Sequence, residues 1–317
     1  MLSNSLTQRI LPRFPKIQYC FAYGSGVKRQ VGYDEKAQKN AMIDLIVAVD
    51  DATKWHKENL ERNPHDYSWM RFLGSKLIGE YQEYAAGVYC NTLIQLDRHT
   101  TIKYGVIRMQ DLKDDLWHWN HLYVAGRLQK PVETLIQPND PELIENLAKN
   151  FENALHTALL QLPQEFSYFQ LFHAIAKISY TGDFRMYFGE RKDKIYNIVD
   201  AQLEDFLKLY KRQLRALSDC VHVPDLSKTS NAKIQQCKSR ETTLKHLQAL
   251  PERVLDILKM TNGSVEALPD IPKELHTALV NINWENSVGQ SMKNIPTAGI
   301  FKSIKYAGRK AMKTFSK

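Results

Sequence analysis

A short apolar strand from Ile17 to Tyr23 runs directly into the turn Gly24-Ser25-Gly26, and a second strand-like run, MIDLIVAV from Met42 to Val49, carries a single acid, Asp44. A Gly-Ser turn after a strand lets backbone N–H groups and a hydroxyl come close to a phosphate. A carboxylate on the neighbouring strand can hold the Mg²⁺ that accompanies a triphosphate. The two together point to nucleotidyl transfer. The plainer alternative for Asp44 is a buried acid that caps a turn.

The strand signals continue to about Pro138. IQYCFAY, MIDLIVAV, AGVYCNTLI and IKYGVIRM are rich in β-branched and aromatic residues. Between the second and third lies WHKENLERNPHDYSWMRFLG, helical or looped, then a helix-like segment ending near Ala85. DLKDDLWHWNHLYVAG has the apolar spacing of a helix running into a loop at Gly126. After Pro138 the character changes. Asp140-Pro141 reads as an N-cap with proline at the first helical position, and long helical periodicities follow. Further helical blocks are expected over Phe166–Lys177 and Asp200–Leu217, and the polar stretch Asp219–Glu241 reads as a mobile loop. The fold class is therefore α+β. The expected parts are a strand-rich domain over 1–138, a helix-rich domain over 139–285 and a basic tail over 286–317.

Charge narrows the partners. The net charge is +8, and the stretch from Asn286 to Lys317 holds seven bases and no acid, so the body is near neutral. That argues against a broad nucleic-acid footprint and for one localised anionic partner. On a helical wheel at about 100° per residue, Ile300, Phe301, Ile304, Met312 and Phe315 gather on one arc, with Lys305, Arg309 and the other bases on the next. Such a helix is expected to lie on an anionic membrane surface. The alternative is a helix packed on its own domain with a solvated basic face. The first sixteen residues are free of acids and carry Arg9, Arg13 and Lys16, which fits a short targeting segment or an ordinary basic arm.

The four cysteines are scattered and form no C-x-x-C, so free thiols and no zinc site are expected. His56 and His65 lack acid or cysteine partners at ligand spacing. His118 and His121 sit among Trp117, Trp119 and Tyr123 and read as packing residues.

The strand, Gly-Ser turn and acid resemble polymerase-β-like nucleotidyltransferases, with two departures, one of them a Ser25–Asp44 interval longer than is usual there. Those proteins carry a second acid two residues on, whereas Ile46 stands there. Asp97, Asp111, Asp114 and Asp115 are in range only by sequence, and the second metal ligand stays unidentified. The larger pattern is more specific. YGSGV, KNAMIDLIVAVDD, HDYS, GVYCN, IKYGVI, LY-x-AGRLQKPV and SY-x-GDFRM-x-x-GE resemble, in the same order, the mitochondrial phosphatidate cytidylyltransferase family over roughly Phe21 to Val199. A weaker likeness runs through SVGQSMKNIPTAGIFKS.

The resemblance implies a nucleotidyltransferase domain followed by a winged-helix-like domain. It also implies synthesis of CDP-diacylglycerol and pyrophosphate from CTP and phosphatidic acid, with Mg²⁺. The expected place is the matrix face of the mitochondrial inner membrane, as a peripheral protein feeding cardiolipin synthesis. On that reading Ser25 and Asp44 are the catalytic residues, Asp44 holds the metal, and Gly24, Ser25 and Gly26 receive the triphosphate. Lys103, Arg127 and Lys130 are phosphate clamps or, alternatively, surface ion-pair residues. Asp183 and Arg185 close over the nucleotide or receive the lipid phosphate, or else brace a turn. Two other functions stay open: a non-catalytic support factor for the protein-import translocase, and a nucleotidyltransferase acting on RNA or a small nucleotide. The near-neutral body argues against RNA, and no nucleic-acid partner is expected.

Overall fold

The computed structural model describes residues 7–28, 42–98, 100–188, 193–224, 233–265 and 268–299. Its first half is built on a five-stranded sheet of order β3-β4-β2-β1-β5. The strands are β1 (Tyr19–Tyr23), β2 (Ile43–Val49), β3 (Tyr89–Gln95), β4 (Thr101–Arg108) and β5 (Glu133–Ile136). β2 pairs parallel to β4, and the other pairings are antiparallel. β2 is central and buried on both faces, which is why it reads as a continuous apolar run.

Strand alternation divides that run between two cores. Ile43, Leu45, Val47 and Val49 point to one core, with Cys20, Ala22, Ile102 and Tyr104. Ile10 and Phe14 also belong to it, and Arg13 pairs with Asp66, so the segment from residue 7 is built into the domain as an arm. Ile46 and Ala48 point the other way, into a larger core with Tyr19, Phe21 and the helical half of the chain. Asp44 has the parity of Ile46 and so lies on that second face.

Helices α1 (Ala52–Arg62) and α2 (Gly74–Glu83) connect β2 to β3, with 3-10 turns at Pro64–Asp66 and Trp69–Leu73 between them. α3 (Met109–His118) and the single turn α4 (Ala125–Leu128) follow β4. The second half opens at α5 (Pro141–Gln161), whose N-cap Asp140 accepts from the amides of Glu142 and Leu143, as its Asp-Pro start predicts. It continues through α6 (Tyr168–Ile178), the turn α7 (Arg185–Phe188), α8 (Lys194–Ala216), α9 (Arg240–Gln248), α10 (Glu252–Asn262) and α11 (Ile271–Ala298). A small antiparallel sheet of order β6-β8-β7 joins β6 (Glu165–Ser167), β7 (Val221–His222) and β8 (Lys233–Gln236). The fold is thus mixed α+β, and among the described residues no helix is long and apolar enough to cross a membrane.

Three expectations need correction. β5 was not anticipated. The stretch Asp219–Glu241 is not simply a loop, because β7 and β8 lie within it; Gln236, polar in sequence, is buried and donates to the carbonyls of Leu159, Leu162 and Pro163. The expected break at residue 286 falls inside α11, which runs unbroken to Ala298 and docks on the first half of the chain. There Gln290 donates to the Val88 carbonyl (2.9 Å), and the buried Lys293 ammonium donates to the carbonyls of Gln82 (2.6 Å) and Tyr84. Those are carbonyls at the C-terminal end of α2, where helical partners run out. Counting Lys293 among the bases of the tail missed this. Residues 300–317, including Ile300, Phe301, Ile304, Lys305, Arg309, Met312 and Phe315, lie outside the described residues.

Candidate active site

Three neighbouring strands place Tyr23, Asp44 and Lys103 in one row. Tyr23 is the register partner of Asp44 on β2, and Asp44 that of Lys103 on β4. Adjacent strands lie about 4.8 Å apart, and these positions share the face turned toward the helical half. Immediately after Tyr23 the chain folds over this row. The amides of Val27 and Lys28 donate to the Gly24 carbonyl at 3.2 and 3.0 Å. Gly24 has φ +79°, and a Cβ there would sit 3.6 Å from the Asp44 carboxylate. A Cβ on Gly26 would come within 2.6 Å of the Met42 carbonyl oxygen. Both glycines are needed: one for its left-handed backbone, the other for close approach to β2. Lys28 ends the turn and ties it to Asp205 on α8 (3.3 Å) and Glu133 on β5 (3.8 Å).

The second wall comes from residues 119–130. It is organised by Asp115, a buried carboxylate that accepts from the amides of His121, Leu122, Val124 and Ala125 at 2.7–2.9 Å. The loop so held presents Tyr123 and Arg127. The Arg127 guanidinium lies over the Tyr123 ring at 3.9 Å and the Tyr23 ring at 5.2 Å, and it donates to the Tyr123 carbonyl. Burial pushes the Tyr23 hydroxyl up to about 12, against the opposing pull of Arg127. Lys130 donates to the Gly126 carbonyl and to Ser179 Oγ (2.8 Å), and its ammonium faces the Tyr180 ring, as does that of Lys194. Burial first, and then the charges of Arg127, Lys194 and Arg185, hold Lys130 well below the ordinary lysine range.

The third wall is the turn before α7. Arg185 grips Asp183, with Nε donating to Oδ1 at 2.9 Å, and its guanidinium lies 5.9 Å from the Tyr123 ring. Burial works against the Asp183 charge, but Arg185 overrides it and keeps the carboxyl below its usual value. The brace reading of this pair therefore has a geometric basis, while its position puts it within the electrostatic reach of Arg127 and Lys130.

The structure thus brings Gly24, Ser25, Gly26, Asp44, Lys103, Arg127, Lys130, Asp183 and Arg185 to one recess. Arg127 and Lys130 make no ion pair with a described residue, which disfavours the surface ion-pair alternative. Sequence reasoning missed Lys194 and the three tyrosines. Only the i, i+4 spacing of Tyr123 and Arg127 hinted at their stacking. None of the other candidate acids joins Asp44. Asp97 pairs with Arg9, Asp111 with Arg108, Asp114 accepts from Gln110, and Asp115 is occupied by four amides. Ile46 is core. Among the described residues no three His, Cys, Asp or Glu side chains cluster as a metal cage. His56 is buried between Tyr67 and Gln82, while His118 pairs with Glu252 and His121 with Asn286, so these histidines are structural. A cavity of about 440 Å³ adjoins the recess between the β1–β5 edge and helices α5 and α8, with Lys28 and Lys130 in its wall. That is the scale of a small-molecule site.

The recess is thus a glycine turn over a carboxylate, ringed by half-buried cations and tyrosines. A family model described as phosphatidate cytidylyltransferase, mitochondrial, matches residues 7–313. The chain is 43% identical to the Drosophila melanogaster protein of that name, covering 98% of this chain and 99% of that protein. It is 40% identical to the Xenopus laevis protein (96% and 93% covered) and 39% identical to the Danio rerio protein (98% and 96%). The chain belongs to the mitochondrial phosphatidate cytidylyltransferase family.

Proposed function

We propose that this protein transfers the cytidylyl group of CTP to phosphatidic acid in mitochondria, giving CDP-diacylglycerol and pyrophosphate. The observation that carries the reading is the recess itself. Its named cations, Lys103, Arg127, Lys130, Arg185 and Lys194, outnumber its named carboxylates, Asp44 and Asp183, and Lys130 is held low first by burial and then by the repulsion of Arg127, Lys194 and Arg185. A bound polyphosphate relieves that repulsion. A scaffold has no use for such a site, so the translocase-support alternative loses ground. We assign the first half of the chain to a nucleotidyltransferase domain and the second to a winged-helix-like domain, the latter on the strength of its helices and small three-stranded sheet.

In the proposed reaction a phosphatidate phosphoryl oxygen attacks the α-phosphorus of CTP. The new P–O bond forms as the bond to the β-phosphate bridging oxygen breaks, and pyrophosphate leaves with the electron pair. Positioning and charge neutralisation dominate such a transfer. The Gly24–Gly26 turn offers amides and the Ser25 hydroxyl to the triphosphate. Arg127 provides a planar, stacked fork for phosphate oxygens, and Lys130 a point charge with a low desolvation cost once an anion arrives. Asp183 fixes Arg185 for the same recess.

Mg²⁺ fits this donor set. A single carboxylate beneath an open glycine turn suits an ion that takes few protein ligands and completes its shell with substrate oxygens and water. Asp44 would hold it, and the ion supplies neutralisation of triphosphate charge. We place the protein peripherally on the matrix side of the inner membrane, with residues 300–317 as a basic amphipathic contact.

The test is incubation of purified protein with CTP, Mg²⁺ and phosphatidic-acid liposomes, with Asp44→Ala alongside. CDP-diacylglycerol and pyrophosphate should form in equal amounts with the native protein and not with the folded variant. Product from Asp44→Ala at the native rate would overturn the site assignment. No product from native protein that is bound to the liposomes would overturn the activity.

A further inference from the structure

The 3-10 turn Trp69–Leu73 and the start of α2 expose their apolar side chains although their underside is firmly packed. Met70 is buried in a cluster with Tyr67, Ile78 and Tyr89, and its amide is capped by Ser68 Oγ. Yet Phe72 is 77% exposed and Trp69 54%, and Leu73 and Leu77 are also open to solvent. Scattered exposed apolar residues mean little, but four such side chains within nine positions form a patch. From Tyr67 to Gly79 there is no acid, only Arg71 and Lys76, and the Arg71 guanidinium lies over the Phe72 ring at 4.7 Å.

The patch continues onto α11. The Pro296 carbonyl accepts from Ser68 Oγ at 2.6 Å, and a Cβ on Gly299 would lie 3.4 Å from Ser68 Cβ. At about 100° per residue, Met292 and Ile295 share that flank of the helix, and both are more than half exposed. Gly299, the last described residue, thus lies beside Ser68.

We propose that this patch is a second membrane contact, on the folded body itself, that seats in an anionic phospholipid bilayer with Trp69 and Phe72 at headgroup depth. The proposal rests on the reading that the substrate is bilayer-borne. Its chemistry is interfacial: a tryptophan and a phenylalanine at the centre, aliphatics around them, and cations without acids between them. A second copy of this chain suits it less, because a two-fold contact would set Arg71 and Lys76 near their own equivalents. The contact would also fix the orientation of the body through α11 and β3, which a terminal segment alone cannot do.

The test uses full-length protein and sedimentation with phosphatidylcholine vesicles containing phosphatidylglycerol, an anionic lipid that is not the substrate. The double variant Phe72→Ser, Leu77→Ser should partition about tenfold more weakly or worse, as removal of two inserted apolar side chains requires. Its melting temperature should be unchanged, since both side chains point outward. Quenching of native protein by brominated phosphatidylcholine should fall in Trp69→Phe. Native partitioning of the double variant, with quenching unaffected in Trp69→Phe, would overturn this proposal alone. Failure of the native protein to bind any vesicle would overturn the membrane reading as well. A double variant that loses self-association in light scattering, while still binding vesicles like the native protein, would assign the patch to a second copy instead.

Discussion

Asp115 tests how the active-site wall is held. Its two carboxylate oxygens take four buried amides, two each. Asp115→Asn preserves shape but leaves one acceptor oxygen, so two amides face an NH₂ group that cannot accept. A hydrogen bond to a charged group contributes about 1.5–3 kcal/mol, so losing two costs about 3–6 kcal/mol. The loop has stored reason to relax once released, because Trp119 (φ 58°) and Leu122 (φ 52°) sit in the left-handed region without being glycine. Each such residue costs about 1–2 kcal/mol. Urea unfolding followed by circular dichroism should show the full loss. Turnover of CTP should fall even under conditions where the variant stays folded, because Tyr123 and Arg127 ride on this loop. Asp114→Asn is the control: that acid accepts from Gln110 at the surface and should shift stability by less than about 0.5 kcal/mol. An Asp115→Asn protein within about 1 kcal/mol of native, at an unchanged denaturant slope, would refute the reasoning.

Three further outcomes are expected. Gly26→Ala drives a methyl into the Met42 carbonyl, so the turn must lift off β2; kcat/KM should drop about 100-fold with melting little changed, and native kinetics would show that the turn is not the triphosphate seat. Arg127→Lys keeps the charge but loses the stacked fork over Tyr23 and Tyr123; kcat/KM should fall about 10- to 100-fold, while equal kinetics would reduce Arg127 to a point charge. His56 gives a pH signature. Its Nε2–H donates to Gln82 and its Nδ1 accepts from the Tyr67 hydroxyl, and burial lowers its value to about 4. The unfolded chain then binds more protons between about pH 6.5 and 4, so stability falls as pH drops through that window, by about 3 kcal/mol in all. Chemical denaturation from pH 7 to 4 should show a flatter profile in His56→Gln, and an identical slope would remove His56 as the cause.

Some of this was legible in one dimension because it depends on neighbours in the chain. The strand into Gly24-Ser25-Gly26, the acid within MIDLIVAV and the Asp140-Pro141 helix start are local signals, set by backbone sterics, side-chain alternation and capping. The motifs from YGSGV to SY-x-GDFRM carried the family likeness for the same reason, as short runs in fixed order. The recess had to wait for the fold. Arg127, Lys130, Asp183, Arg185 and Lys194 come from distant positions, and only the packing of the sheet face against the helical half joins their charges. β7 and β8 were hidden because a polar residue such as Gln236 can be buried when carbonyls receive it. Lys293 read as a tail charge because composition cannot show that α2 ends in unpaired carbonyls beneath it. Phe72 and Leu77 looked like ordinary apolar residues until the fold left them outside. Local chemistry set the elements, and long-range packing decided which charges were buried together and which apolar groups faced out.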